Sequence, residues 1–205
     1  MTPPQELAAG LYRWTASHPE WHPGADPGGP DDWGPTVGSV LYEAPDAVVL
    51  FDPLLPEDER DGFLEWLDGL VAARPVSILT TIQWHRRDRD QLAERYAANS
   101  PRAWNFIPHG VEPKPLRGAG ETDYWLPGVA AIVFGDRLLG DGAGGVALCP
   151  ESWLSRVQID RAGLARLMRP LTELPAERLL VSHGEPVLHD GRAALARAIS
   201  AAEQG

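Results

Sequence analysis

The segment that decides the fold reads Ile78-Leu79-Thr80-Thr81-Ile82-Gln83-Trp84-His85-Arg86-Arg87-Asp88. Its first residues are apolar or β-branched, which is typical of a buried strand. Polar residues follow, and Asp88 opens a stretch with helical spacing, so the segment predicts a strand, a turn and a helix. His85 is the one good metal-ligand type in the turn, and Asp88 is a second candidate.

The sequence around this segment predicts a mixed α/β order in one domain, 1–205, because it shows no internal repeat and no linker. Strands are expected at 37–43, 47–51, 76–82, 103–107, 122–126, 130–134, 146–149 and 178–182. Helices are expected at 57–73, 88–98, 160–174 and 190–202, with Pro170 kinking or ending the third early. Residues 16–36, rich in Trp, His, Pro and Gly, and residues 108–120 are expected to be loops.

Composition limits the classes of function. Lys and Arg number 18 and Asp and Glu 29, so the net charge is 18 − 29 = −11, which disfavours nucleic-acid binding. The one cysteine, Cys149, excludes an internal disulfide and a Cys-rich zinc site. The N-terminus has no basic start and no apolar run, and no stretch is long enough to span a bilayer. We therefore expect a cytoplasmic protein with a small-molecule ligand and no nucleic-acid or membrane partner.

The order of elements resembles the metallo-β-lactamase superfamily. A hairpin ending in Val-Val-Leu-Phe-Asp-Pro at 48–53, a helix, then Ile-Leu-Thr and a polar turn are similar to the first half of that fold. In the family the turn carries His-x-His-x-Asp-His, and two metal ions, usually zinc, activate a water for hydrolysis. The resemblance implies a compact version of the four-layered αββα sandwich.

The turn can be matched to the family motif in two ways. In one match Thr81 and Gln83 take the first two His positions, His85 takes the Asp position and Arg86 the last His position. A shifted match places His85 on the second His and Asp88 on the last. In both matches most of the family's ligands are replaced.

Three later landmarks follow in the family's order. The segment 120–122, Gly-Glu-Thr, resembles its Gly-His-Thr segment, with Glu121 replacing the ligand His. The segment 134–136, Phe-Gly-Asp, resembles the Thr-Gly-Asp segment that supplies the metal-bridging Asp. The segment 181–184, Val-Ser-His-Gly, resembles the final strand-end His-Gly. Four matches in the correct order over residues 37–185 make the fold prediction stronger than any one of them.

The resemblance implies a reduced metal site formed by His85, Asp136 and His183. These residues could hold one zinc, iron or manganese ion, with Asp136 and His183 in catalytic roles and Glu121 or Asp88 as a further oxygen ligand. Two ions need more ligands than this. An Arg at a ligand position would also repel a cation.

Two functions therefore stay open. The first is a metal-dependent hydrolase with at most one ion, of unknown substrate. The second is a non-catalytic member with no metal that binds a small molecule or a partner. For the residues themselves, His85 could be a solvated helix start, Asp136 a turn residue and His183 a hydrogen-bonded pocket histidine. Cys149 could pair with His183 as a nucleophile, although a lone Cys in an apolar strand is more often an inert core residue.

Overall fold

A computed structural model describes residues 4–98 and 107–204, and its first sheet contains five strands. In spatial and chain order they are β1 Gln5–Ala8, β2 Leu11–Ser17, β3 Thr36–Glu43, β4 Val48–Phe51 and β5 Val76–Leu79. Neighbours are antiparallel as far as β4, and β5 lies parallel to β4. The parallel pair brings the ends of β4 and β5 to the same edge.

The second sheet has four strands in the order β11-β8-β7-β6. Their bounds are β6 Glu112–Leu116, β7 Glu121–Leu126, β8 Ala131–Val133 and β11 Arg178–Leu180. The first three form antiparallel neighbours, and β11 runs parallel to β8, so these two strands also end at one edge. A separate hairpin joins β9 Leu138–Gly140 to β10 Val146–Leu148.

Helices cover the outer face of each sheet and complete four layers. Their bounds are α1 Arg60–Val71, α2 Arg89–Arg95, α3 Arg161–Met168 and α4 Gly191–Gln204. One apolar cluster joins α1 and α2 to the first sheet, a second lies between the sheets, and a third joins α3 and α4 to the second sheet. The architecture is the predicted αββα sandwich.

The alternation of side chains along β4 shows why the sheets are buried on both faces. Val48 and Leu50 pack towards the helices, whereas Val49 and Phe51 pack between the sheets. Successive side chains of a strand point to opposite faces, so a strand covered on both sides is a continuous apolar run. All four of these residues are buried.

Several predicted elements need correction. The loop at 16–36 is shorter, because β2 continues to Ser17 and β3 begins at Thr36, which leaves 18–35. The prediction of a loop throughout 108–120 was wrong, because β6 lies within it. The prolines of β6 are compatible with an edge strand, since only β7 pairs with it there. Strands β1, β2 and β9 were not predicted.

The other boundaries differ by a few residues. Asp160 caps α3 by accepting from the Gly163 backbone N–H at 2.6 Å, and the helix gives way to a tighter 3-10 turn, Arg169–Glu173, around Pro170. Residues 103–106 of the predicted strand lie outside the described residues, and Ile107 is not in a strand. No helix in the described ranges is long and apolar enough to cross a membrane.

Hydrogen bonds join the two sheets at the edge where the parallel strands end. The Thr122 N–H donates to the Thr81 carbonyl at 2.8 Å, and the Gly38 N–H donates to the Ser182 carbonyl at 2.7 Å. The segments that follow β4, β5, β8 and β11 therefore meet in one place, which is where the candidate site lies.

Candidate functional site

Three side chains from three different strand ends converge at this edge. His85 lies in the turn after β5, Asp136 follows β8 and His183 follows β11. The Oδ1 atom of Asp136 is 3.0 Å from Nε2 of His85 and 3.3 Å from Nε2 of His183. One ligand atom from each of the three lies within 4.8 Å of the others. The structure thus brings together the three residues that the sequence singled out.

The geometry of Asp136 is unusual for a buried carboxylate. Its Oδ1 atom is inaccessible to solvent and has no aligned hydrogen-bond partner in the described part of the chain, despite the two nearby ring nitrogens. Buried polar atoms are nearly always paired, because an unpaired one loses its hydration without compensation. The two ring nitrogens are thus near Oδ1 without forming aligned hydrogen bonds to it.

Asp52, which follows β4, fixes the other side of His85. Its Oδ2 atom lies 2.9 Å from Nδ1 of His85, and its Oδ1 atom accepts from the Thr81 backbone N–H at 2.8 Å. The Thr81 hydroxyl also donates to Oδ2. The backbone of Asp52 is left-handed, with φ of 46°, which Asp tolerates better than most residues. A proton on Nδ1 facing Asp52 leaves Nε2 of a neutral His85 free as a ligand atom.

Trp84 fixes the second oxygen of Asp136. Its indole Nε1–H donates to Oδ2 at 2.7 Å, so Oδ1 alone faces the two histidines. The ring itself is 43% exposed, unlike the other large apolar side chains described. Trp84 therefore contributes more to the orientation of the Asp136 carboxylate than to the packing of the core.

The charges at the site favour an ionised pair. Burial acts to lower the pKa of His85, but the charges of Asp136 and Asp52 outweigh it and raise the pKa to about 9. Burial acts to raise the pKa of Asp136, yet the His85 charge and the contact with His183 hold it well below its ordinary value. In the absence of a metal ion, His85 is thus an imidazolium between two carboxylates.

Solved structures with this arrangement of layers are metallo-β-lactamases. The chain is similar to one from Hirschia baltica, at 12% identity and a TM-score of 0.60, over 98% of this chain and 97% of that one. It is also similar to one from Erythrobacter litoralis, at 16% identity and a TM-score of 0.57, over 98% and 92%. A Pseudomonas aeruginosa enzyme in a mono-zinc form gives 13% identity and a TM-score of 0.59, over 99% and 96%. No protein-family model and no curated protein matches the sequence.

This chain has the metallo-β-lactamase fold. Identities this low establish the fold alone, so the chemistry must be argued from the residues at the site.

Glu121, at a ligand position of the metallo-β-lactamase motif, is used for a different purpose. Its carboxylate accepts backbone N–H groups from Gly135 at 3.1 Å, Asp136 at 2.7 Å and Arg137 at 3.1 Å. Both oxygens are therefore occupied in holding the turn that carries Asp136. The prediction that Glu121 could supply a further metal oxygen has no support in this geometry.

The remaining motif residues lie away from the converging atoms. Gln83 and Arg86 are exposed, and neither lines the pocket. Asp88 accepts from the Leu55 N–H at 2.7 Å and pairs with Arg60 at 3.1 Å, so its role is to hold the start of α2 in place. The sequence raised the objection that Arg86 and Arg87 would repel a cation; this is removed for Arg86 but stands for Arg87, which lines the pocket.

Two arginines, one half-buried and one buried, were not recognised from the sequence as parts of the site. Arg87 lines the pocket and donates through Nη1 to the carbonyls of Gly38 at 2.9 Å and Asp52 at 2.7 Å. Arg137 also lines it and is fully buried, with its guanidinium 5.7 Å from the Trp84 ring centroid. Only their place beside His85 and Asp136 in sequence could have suggested this.

A pocket of about 290 Å³ opens above the site. Its apolar walls include three indoles, those of Trp33, Trp84 and Trp153, and the loop 18–35 contributes His18 and Trp33. The rings of Trp33 and Trp153 meet His183 edge-to-face, at centroid distances of 5.7 Å and 5.3 Å. These walls fit a small ligand with an apolar part.

Cys149 takes no part in the site. It is fully buried in the cluster beneath α3 and α4, and burial raises the pKa of its thiol to about 11. The thiolate is the nucleophilic form, so a buried thiol with a raised pKa is inert. A Cys149–His183 nucleophile pair is not formed.

Proposed function

We propose that the chain is a metal-dependent hydrolase that uses one divalent ion, held by His85, Asp136 and His183. The observation that carries the proposal is the buried Oδ1 of Asp136, which faces two ring nitrogens without an aligned hydrogen bond. Around a tetrahedral zinc ion, ligand atoms stand about 3.3 Å apart. The two contacts of 3.0 Å and 3.3 Å fit that spacing.

The surroundings of these residues support the same proposal. Ligand histidines usually donate their second ring N–H to a carboxylate, and ligand carboxylates are usually hydrogen-bonded themselves. Asp52 stands at Nδ1 of His85, and Trp84 donates to the second oxygen of Asp136. The side chains of His85 and Asp136 are therefore held in orientation by the protein before any ion binds.

Three protein ligands are the number typical of catalytic zinc, which leaves a fourth position for water or substrate. When bound, such an ion supplies the Lewis acidity that makes hydrolysis possible near neutral pH. The chain's own part is to orient the ligand atoms, to place Arg87 and Arg137 beside the pocket, and to cover the substrate with indole rings.

Metal binding by the purified protein tests this proposal. Isothermal titration with zinc, iron(II) and manganese(II) should give one equivalent bound for at least one of them. His183→Ala should weaken binding by more than the roughly 10–100-fold that loss of an outer contact costs. His189→Ala is the matched control, because His189 is exposed and outside the pocket.

Hydrolysis is measured on the same variants. The metal-loaded protein should hydrolyse esters, thioesters or phosphodiesters, and His183→Ala should abolish this turnover. A protein that binds none of the three ions, or a His183→Ala variant that binds as the wild type does, would contradict the proposal.

A second function is favoured by one specific observation. His85 lies between Asp52 and Asp136, with contacts of 2.9 Å and 3.0 Å, so the two carboxylates already have a cationic partner. A site balanced in this way could bind a small molecule without metal or turnover. Under this alternative, metal titration shows no binding, and His85→Gln changes the folding of the protein or its affinity for a small-molecule ligand.

A further inference from the structure

His18 is held firmly at the rim of the pocket, although it begins a long loop. It follows β2 directly, and its backbone N–H donates to the Pro35 carbonyl at 2.8 Å, which extends the pairing of β2 with β3. Alternation along the strand places its side chain on the same face as the buried Ala16. The imidazole lines the same cavity as His85, Asp136 and His183.

A local hydrogen bond sets the position of the proton on this ring. The Glu20 backbone N–H donates to Nδ1 of His18 at 3.2 Å, so Nδ1 accepts and the neutral ring carries its proton on Nε2. Burial and the nearby Arg87 charge lower the pKa of His18, which keeps the ring neutral. Nε2 has no hydrogen-bond partner among the described residues, so this donor is available to a ligand.

Trp33 contacts both His18 and His183 on the wall of the cavity. Its ring meets His18 edge-to-face at 5.0 Å and His183 at 5.7 Å between centroids. His18 is not among the residues whose ligand atoms converge. It is therefore a third histidine of the pocket, free for contact with a substrate.

We propose that His18 is a catalytic residue that donates a hydrogen bond from Nε2 to the carbonyl oxygen of an acyl substrate as negative charge develops there. The inference rests on the proposed hydrolase function. The pocket lining already offers charged donors, Arg87 and Arg137, and His18 adds an uncharged one on the wall that carries Trp33. No proton leaves His18, because a neutral imidazole acts here only as a donor.

Two substitutions separate a donor role from a packing role. His18→Phe keeps a ring against Trp33 and removes the N–H, whereas His18→Gln loses the ring and keeps an amide N–H. Removal of one such donor costs on the order of 100-fold in turnover. With the zinc-loaded protein and 4-nitrophenyl acetate, kcat/KM should fall about 100-fold in His18→Phe and by less than about 10-fold in His18→Gln.

The matched controls are His22→Phe and His22→Gln, because His22 lies in the same loop, is exposed and does not line the pocket. Both should leave kcat/KM unchanged. A His18→Phe variant as active as the wild type, or the reverse order with Gln worse than Phe, would overturn the donor role. If the wild type itself shows no zinc-dependent turnover, the hydrolase proposal fails instead.

The tautomer provides a readout that needs neither metal nor substrate. In ¹⁵N NMR spectra of the metal-free protein at pH 7.5, His18 should show an unprotonated Nδ1 and a protonated Nε2. A proton on Nδ1, or an imidazolium at this pH, would overturn the inference whatever the turnover experiments show.

Discussion

Two halves of the site have opposite uses for their polar atoms. We call Thr81 and Glu121 the closed half, because their side-chain oxygens form hydrogen bonds within the protein. We call His85, Asp136 and His183 the open half, because one ligand atom of each lies within 4.8 Å of the others. The side-chain oxygens of Thr81 and Glu121 are therefore structural and do not form a second set of ligand atoms.

The closed half is also tightly packed. A Cβ atom at Gly135 would stand 2.5 Å from Oγ1 of Thr81 and 2.6 Å from Oε2 of Glu121, so only glycine fits there. Glu121 and Arg137 are both buried; burial raises the pKa of Glu121, and the nearby Arg137 charge acts in the opposite direction. This half holds the turn of Asp136 in position without contributing a ligand.

The largest expected effect is a loss of stability in Glu121→Gln, which disrupts the hydrogen bonds of the closed half. The amide keeps one acceptor oxygen but turns an NH₂ group towards backbone N–H donors, which are then buried without a partner. Loss of these hydrogen bonds should lower the free energy of unfolding by about 3 kcal/mol, measured by urea denaturation.

Glu112→Gln is the control for this prediction, because Glu112 is an exposed carboxylate on β6 that pairs only at the surface with Lys114. Such a pair contributes at most about 1 kcal/mol. Equal stability losses in the two variants would show that the closed half is not structural.

The open half was predictable because its residues lie in segments that resemble the metallo-β-lactamase family in the correct order, and each also follows a strand end. His85, Asp136 and His183 each come after a run of apolar residues, and parallel strands end at one edge. The same logic could not identify Glu121 as a structural group, because its three partners are backbone N–H groups, which the sequence does not distinguish.

Two strands of the first sheet, β1 and β2, were not predicted, and the reason in β2 is a buried charged residue. In β2 the buried positions include Arg13, whose guanidinium donates to the Gly184 carbonyl at 2.8 Å. A buried arginine breaks the alternation of apolar and polar residues that marks a strand. Pro113 and Pro115 likewise made β6 hard to predict, because proline is unfavourable in most strands and is tolerated where a strand lies at a sheet edge.

A smaller effect should come from Trp84→Phe, which loosens the open half. Phenylalanine keeps an aromatic wall but removes the N–H that fixes Oδ2 of Asp136. Loss of an outer contact of this kind should weaken zinc affinity about 10-fold, or about 1.4 kcal/mol, measured by isothermal titration. Trp66→Phe on α1, remote from the pocket, should leave the affinity unchanged; a similar loss in both variants would remove Trp84 from the site.

The smallest effect should be a gain in stability from Asp123→Asn, beside the closed half. Asp123 is fully buried, and neither carboxyl oxygen accepts a hydrogen bond from the described residues. Burial and the neighbouring Glu121 charge raise the pKa of Asp123 well above its ordinary value. The raised pKa favours the neutral carboxyl in the folded protein, beside the carboxylate of Glu121.

The direction of the pH dependence follows from this raised pKa. In the unfolded chain an Asp carboxyl titrates near pH 4, so its contribution to stability is fully present below about pH 4. As the pH rises from there towards the folded pKa, only the unfolded state loses the proton, and stability falls by up to about 1.4 kcal/mol per pH unit. Asparagine keeps a donor to Glu121 and has no proton to lose.

The stability of Asp123→Asn relative to the wild type should therefore rise by about 1 kcal/mol between pH 5 and pH 7. Urea denaturation at several pH values measures this, and Asp26→Asn, at an exposed loop carboxylate, should show no such trend. A difference that is constant with pH would mean that Asp123 is ionised in the fold. Glu121 and Asp123 would then be two neighbouring buried carboxylates, and the backbone N–H groups that Glu121 accepts would have to offset their repulsion.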